Sequence, residues 1–104
     1  MQIKIGRYHF EGPFSSISNI KEQEGIYVIL SRLHKNIYSL LDIGESDNLK
    51  TRVEKRKNNF SDKNNKKRPV FFAVNYTQNL GKQSRELIVS EIKYEHERMN
   101  LDRN

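Results

Sequence analysis

Nine basic residues crowd the interval from Lys50 to Arg68 (Lys50, Arg52, Lys55, Arg56, Lys57, Lys63, Lys66, Lys67 and Arg68), against two acids, Glu54 and Asp62. That interval carries +7 in a chain whose formal net charge is +6, so the remainder is close to neutral. Cations clustered this densely are what a polyanion-binding face requires. The competing physical reading is a lysine-rich solvated surface that keeps a small protein soluble. Arg52 and Arg56 stand four residues apart, so on a helix they share one side. A guanidinium there offers a planar fork for phosphate oxygens. Other chemistries are excluded or unsupported. The 104 residues include no cysteine, which removes disulfides, thiolate metal sites and a cysteine nucleophile. His9, His34 and His96 have no ligand-like spacing and are read as surface or packing residues.

The elements that must position these groups follow from hydrophobic patterning. Hydrophobic residues make up 35% of the chain, so the core must be thin and a two-layer domain on a short sheet is expected. Ile3 to Phe10 alternates as a strand that Gly12-Pro13 should end. Phe14 to Glu24 reads as a turn or short helical connection. Ile26 to Leu30 is apolar on both parities, as in a central strand covered on both faces. His34-Lys35-Asn36 turns the chain. Ile37 to Ile43 then alternates, with Ile37, Ser39, Leu41 and Ile43 on one side and Tyr38, Leu40 and Asp42 on the other, so the pair predicts an antiparallel hairpin. Ser46 or Asp47 can cap a helix near 47–58, and Leu49, Val53 and Phe60 lie near one of its faces. Asn58 to Arg68 is expected as a loop. Pro69 stands at the entrance of a strand near 70–76. Ser84 can cap a last helix near 84–99, with Leu87, Ile88 and Ile92 inward. No apolar run approaches the roughly 18 residues of a membrane span, and a soluble, cytoplasmic protein is the expectation.

A second pattern overlies these elements. Gly25-Ile26-Tyr27 opens the first hairpin strand and Asp42-Ile43-Gly44 closes the second. Arg52 follows on the helix, ten residues after Asp42, and Glu86 opens the last helix after a third strand. In this joint spacing the chain resembles the GIY-YIG nuclease superfamily over roughly residues 24–100, with 1–23 as an N-terminal extension. The resemblance implies an α+β fold, a small three-stranded antiparallel sheet flanked by helices, here extended by an N-terminal strand or hairpin. It also implies divalent-metal-dependent hydrolysis of DNA phosphodiesters, with RNA as the alternative substrate. By the same resemblance Tyr27 activates water near the scissile phosphate. A phenol of ordinary pKa about 10 needs positive charge beside it for that role, and Arg52 supplies it. Glu86 would be the sole protein ligand of a hydrated Mg²⁺ or Mn²⁺, which keeps most of its waters. Asn100, fourteen residues after Glu86, stands near where the family often places an asparagine.

Two departures keep alternatives open. Asp42 replaces the family's second tyrosine and could be a base, a second metal ligand or a structural residue. Arg56 stands where many members carry histidine. It cannot be a general base, because a guanidinium stays charged, but it could clamp phosphate. Each residue also has an ordinary explanation: core packing for Tyr27, solvation for Arg52, helix-dipole complementarity for Glu86. The readings carried forward are a metal-dependent endonuclease, a catalytically degenerate nucleic-acid-binding module using Lys50, Lys55, Lys57, Lys63, Lys66, Lys67 and Arg68, and an interaction adaptor. A nuclease this small would need a homodimer, a partner protein or low sequence specificity.

Overall fold

A computed structural model of the chain describes residues 1–60 and 69–102, the last six of these by backbone alone. Lys63, Lys66, Lys67 and Arg68 fall outside the described residues, as does the side chain of Asn100. The elements are β1 (Gln2–Ile5), β2 (Tyr8–Phe14), a 3-10 turn at Ile17–Asn19, β3 (Gly25–His34), β4 (Ile37–Ser46), α1 (Leu49–Lys57), β5 (Val70–Asn75) and α2 (Lys82–Asp102).

The α+β class stands, but the expected three-stranded sheet is a five-stranded one, ordered β1-β2-β5-β3-β4 and antiparallel throughout. The N-terminal segment extends the sheet as a hairpin on the β5 edge: β2 pairs with β5 and buries Phe10 completely. The continuous strand expected over Ile3 to Phe10 breaks at Gly6-Arg7, where Gly6 takes a positive φ of 61° and closes a tight hairpin. Gly12-Pro13, expected to end that strand, lies within β2. The pairing with β5 shifts register between Glu11 and Phe14 there, and the backbones approach so closely that a side chain at Gly12 would press on the Phe72 carbonyl at 2.7 Å.

The central strand is β3, bonded to β5 on one side and β4 on the other, and it is buried from Gly25 to Ser31. Its alternation serves both layers. Ile26, Val28 and Leu30 pack with Phe10, Ile43, Val89 and Ile92 on the α2 face. Tyr27 and Ile29 pack with Ile20, Leu49, Val53, Phe72 and Val74 on the α1 face. Each fully buried aliphatic side chain here contributes roughly 1.5–3 kcal/mol.

The strict alternation expected along Ile37 to Ile43 fails at one residue. Leu30 pairs with Leu40 and Ile29 with Asp42, leaving Leu41 as an extra residue in β4. The parity flips there. Tyr38 and Leu40 face α2, Leu41 and Asp42 face α1, and Ile43 faces α2 again.

Both helices begin elsewhere than expected. Asn48 caps α1, its side chain accepting the Thr51 N–H at 3.2 Å, and Ser46 Oγ accepts the Asn48 N–H at 3.0 Å. Ser84 lies inside α2, which starts at Lys82. The inward stripe of α2 runs through Arg85, Val89 and Ile92, at spacing i, i+4, i+7. Leu87, expected inward, is 71% exposed.

Candidate functional site

Tyr27 and Asp42 meet across the β3–β4 hairpin on the α1 face. Tyr27 pairs in register with Gly44, and its ring lies over that glycine. A Cβ at Gly44 would come within 2.6 Å of the phenol oxygen. The Leu41 bulge turns Asp42 to the same face, and the Tyr27 hydroxyl donates to Asp42 Oδ2 at 3.1 Å. Arg56, from the last turn of α1, donates from Nε to the same oxygen at 2.8 Å. One carboxylate oxygen thus holds together β3, β4 and α1.

This geometry sets the protonation states. Burial pushes the Tyr27 phenol up to about 12, helped by the negative charge of Asp42 and the hydrogen bond to it; the charges of Arg56 and Arg52 oppose the shift. Tyr27 therefore keeps its proton at neutral pH and is a donor. Arg56 is held above its already high range by its hydrogen bond to Asp42.

Arg52 is exposed on the neighbouring side of α1, close enough for its charge to be felt at Tyr27. It lines a depression of about 250 Å³ together with Glu45, Thr51, Lys55 and Lys82. Lys55 and Lys57 are exposed and Lys50 is half-buried. Glu86 is exposed on α2, whose buried residues belong to the opposite face of the sheet from Tyr27, and it makes no hydrogen bond or ion pair among the described residues. The structure thus joins Tyr27, Asp42 and Arg56 directly, sets Arg52 beside them, and leaves Glu86 unlinked to that group.

Sequence reasoning missed the most heavily bonded cation among the described residues. Arg85 is 1% exposed and donates to Glu45 at 2.9 Å, to Glu24 at 3.0 Å and to Asp47 at 2.7 Å. Burial acts to lower its pKa, but the hydrogen bonds and charges of Glu45 and Asp47 outweigh it and the net shift is upward. Glu24 immediately precedes Gly25-Ile26-Tyr27, and Glu45 immediately follows Asp42-Ile43-Gly44. Arg85 therefore anchors both tripeptides to α2. The available signal was an arginine at the inward helical spacing of Val89 and Ile92, next to a stretch where three acids flank the two glycines.

Gly25 has its own steric reason, since a Cβ there would sit 2.2 Å from the Asn75 carbonyl oxygen across the β3–β5 ladder.

A divalent cation needs oxygen ligands that are not already spent. Tyr27 and Arg56 share one oxygen of Asp42, and Glu24, Glu45 and Asp47 each give an oxygen to Arg85. Both carboxylate oxygens of Glu86 are uncommitted among the described residues, which suits a cation that retains most of its water. No group of three or more potential ligands occurs among the described residues. No helix among them is long and apolar enough to cross a membrane. No protein-family model, curated protein or solved structure matches the chain.

Proposed function

We propose that the chain is a GIY-YIG-type, metal-dependent endonuclease that hydrolyses DNA phosphodiester bonds in a cytoplasmic compartment, with RNA as the alternative substrate. The observation that carries this reading is the Tyr27–Asp42–Arg56 triad, hydrogen-bonded beside Arg52 on a cation-rich helix. In the proposed reaction a water oxygen attacks phosphorus as the bond to the leaving sugar oxygen breaks, and that oxygen keeps the bonding pair and takes a proton from a second water. The water proton passes to the Tyr27 oxygen while the Tyr27 proton passes to Asp42, so Asp42 is the final base and no free phenolate forms. Arg52 stabilises charge growing on the phosphoryl oxygens. Glu86 would hold a hydrated Mg²⁺ or Mn²⁺, which supplies electrostatic stabilisation of the leaving oxygen. A homodimer or partner protein would supply sequence specificity.

One observation favours a second reading, a binding module of the same fold that does not cleave. The Tyr27 proton is held to about pH 12, and the Asp42 oxygen that would receive it already accepts from Arg56.

Incubation of the protein with supercoiled plasmid and Mg²⁺ or Mn²⁺ decides between them. Nicking or linearisation is expected, lost in Glu86→Ala and reduced roughly a hundred- to a thousandfold in Arg52→Ala, the usual cost of removing one preorganised electrostatic donor. Asp42→Asn should abolish cleavage as well. Binding without cleavage by the wild-type protein would leave the second reading standing.

A further inference from the structure

The two sides of α1 carry separate sets of cations, and this says how a nucleic acid would lie on the protein. Successive residues turn about 100° around a helix axis. Leu49 and Val53 point inward and are fully buried. Lys50 and Lys57 then fall on one flank with Glu54 next to them, Arg52 and Lys55 on the other, and Thr51 and Asn58 on the outward face. The surface confirms the division. Lys50 and Lys57 line a depression of about 510 Å³ with Glu54 and with Ser15, Ser16 and Ser18 of the connection before β3. Arg52 and Lys55 line the other depression, of about 250 Å³, with Lys82 of α2 and with Glu45 and Asp47, whose carboxylates are bonded to Arg85. None of these five cations forms an ion pair among the described residues, although Glu54 lies four residues from Lys50. Arg7, Arg56 and Arg85 are all paired.

We propose that α1 docks in the major groove of duplex DNA, with the Lys50–Lys57 flank on the phosphates of one strand and the Arg52–Lys55–Lys82 flank on those of the other. The Ser15–Ser18 connection lines a phosphate site on the first flank that the catalytic reading does not use. An α-helix with its side chains is about 10–12 Å across, and the B-form major groove is about 12 Å wide. The strand on the Arg52 flank is the one brought to Tyr27, Asp42 and Arg56. The major groove of duplex RNA is too deep and narrow to admit the helix, so the arrangement selects DNA.

The inference rests on the nucleic-acid reading above and specifies the partner. Its test is fluorescence anisotropy over a salt series, in chelator so that no cleavage intervenes, with a DNA duplex, one of its single strands and an RNA duplex of the same sequence. Lys50→Ala/Lys57→Ala and Lys55→Ala/Lys82→Ala are each expected to lower the log–log salt slope on duplex DNA by about 1.8, at roughly 0.9 per phosphate contact. On the single strand only one pair should matter, and the RNA duplex should bind more weakly than the DNA duplex. An unchanged duplex slope in Lys50→Ala/Lys57→Ala, with plasmid cleavage intact, would overturn the straddling arrangement alone. Equal affinity for both duplexes would overturn it too. Failure of the wild-type protein to bind any of the three would overturn it together with the reading beneath it.

Discussion

Two cationic regions of this small protein are built on opposite principles. Around Arg85 a single buried guanidinium bonds to three carboxylates, one through each of its nitrogens, so acid is in surplus. Along α1 the cations outnumber the acids and five of them, counting Lys82, have no ion-pair partner among the described residues. A charge removed from water must be matched by the fold itself, so the first region is architecture. Charges left in water without partners can neutralise an incoming polyanion at little desolvation cost, so the second is available for a ligand. Arg56 stands between the two. It is paired to Asp42 but remains about a third exposed, at 37% of its side chain.

The sharpest way to break the contrast is to remove Arg85. Arg85→Ala should destabilise the protein by about 3 kcal/mol, at the low end of the range for breaking a buried pair, because Glu24 and Asp47 can turn to water while Glu45 cannot. Urea denaturation monitored by circular dichroism measures it. A loss under about 1 kcal/mol would show that the cluster is ordinary surface pairing. Single alanine substitutions of Lys55 or Lys57 should stay within about 0.5 kcal/mol in the same assay.

Gly44→Ala probes the seam between the regions. The new methyl would meet the Tyr27 ring at 2.6–2.8 Å, so the tyrosine must leave Asp42 or the strand must shift. The expected loss is about 2 kcal/mol, the usual scale of overpacking, together with loss of any cleavage.

The smallest effect appears only in alkali. The folded-state pKa of Tyr27, about 12, lies above the unfolded value of about 10, so its contribution to stability is complete below pH 10 and is lost as pH rises through 12. The difference in tyrosinate absorbance between wild type and Tyr27→Phe isolates this group. In Asp42→Asn the titration should move down, since one of the charges holding it up is gone. A Tyr27 titration near 10 in the wild-type protein would show that burial and Asp42 do not hold its proton.

Much of this was readable from residue order. The β3 run, apolar on both parities, required a strand covered on both faces, and the turn at 34–36 required an antiparallel partner. Leu49 and Val53 marked the inward side of α1, and the charge density of 50–68 marked its outer surface. Both tripeptide glycines were conspicuous, although their reasons were not. A carbonyl 2.2 Å from a would-be Cβ at Gly25 and a tyrosine ring above Gly44 are distances between strands remote in sequence.

Other features depended on contacts that no local pattern encodes. Alternation along β4 assigned Asp42 to the side of Tyr38 and Leu40, and one bulged residue, Leu41, reversed that and delivered Asp42 to Tyr27 and Arg56. The periodicity of α2 admitted more than one inward stripe. The ion pairs of Arg85 with three acids 38 to 61 residues away selected the stripe that buries an arginine and exposes Leu87. The N-terminal hairpin was visible as alternation, but its place beside β5 was decided by the unpaired edge of that strand and by the space Phe10 fills. By itself the sequence determined the element types and the density of surface charge, because period and composition act over a few residues. The tertiary structure decided register, face and pairing, because each of these is a choice between nearly equivalent local arrangements that only long-range burial and charge matching can separate.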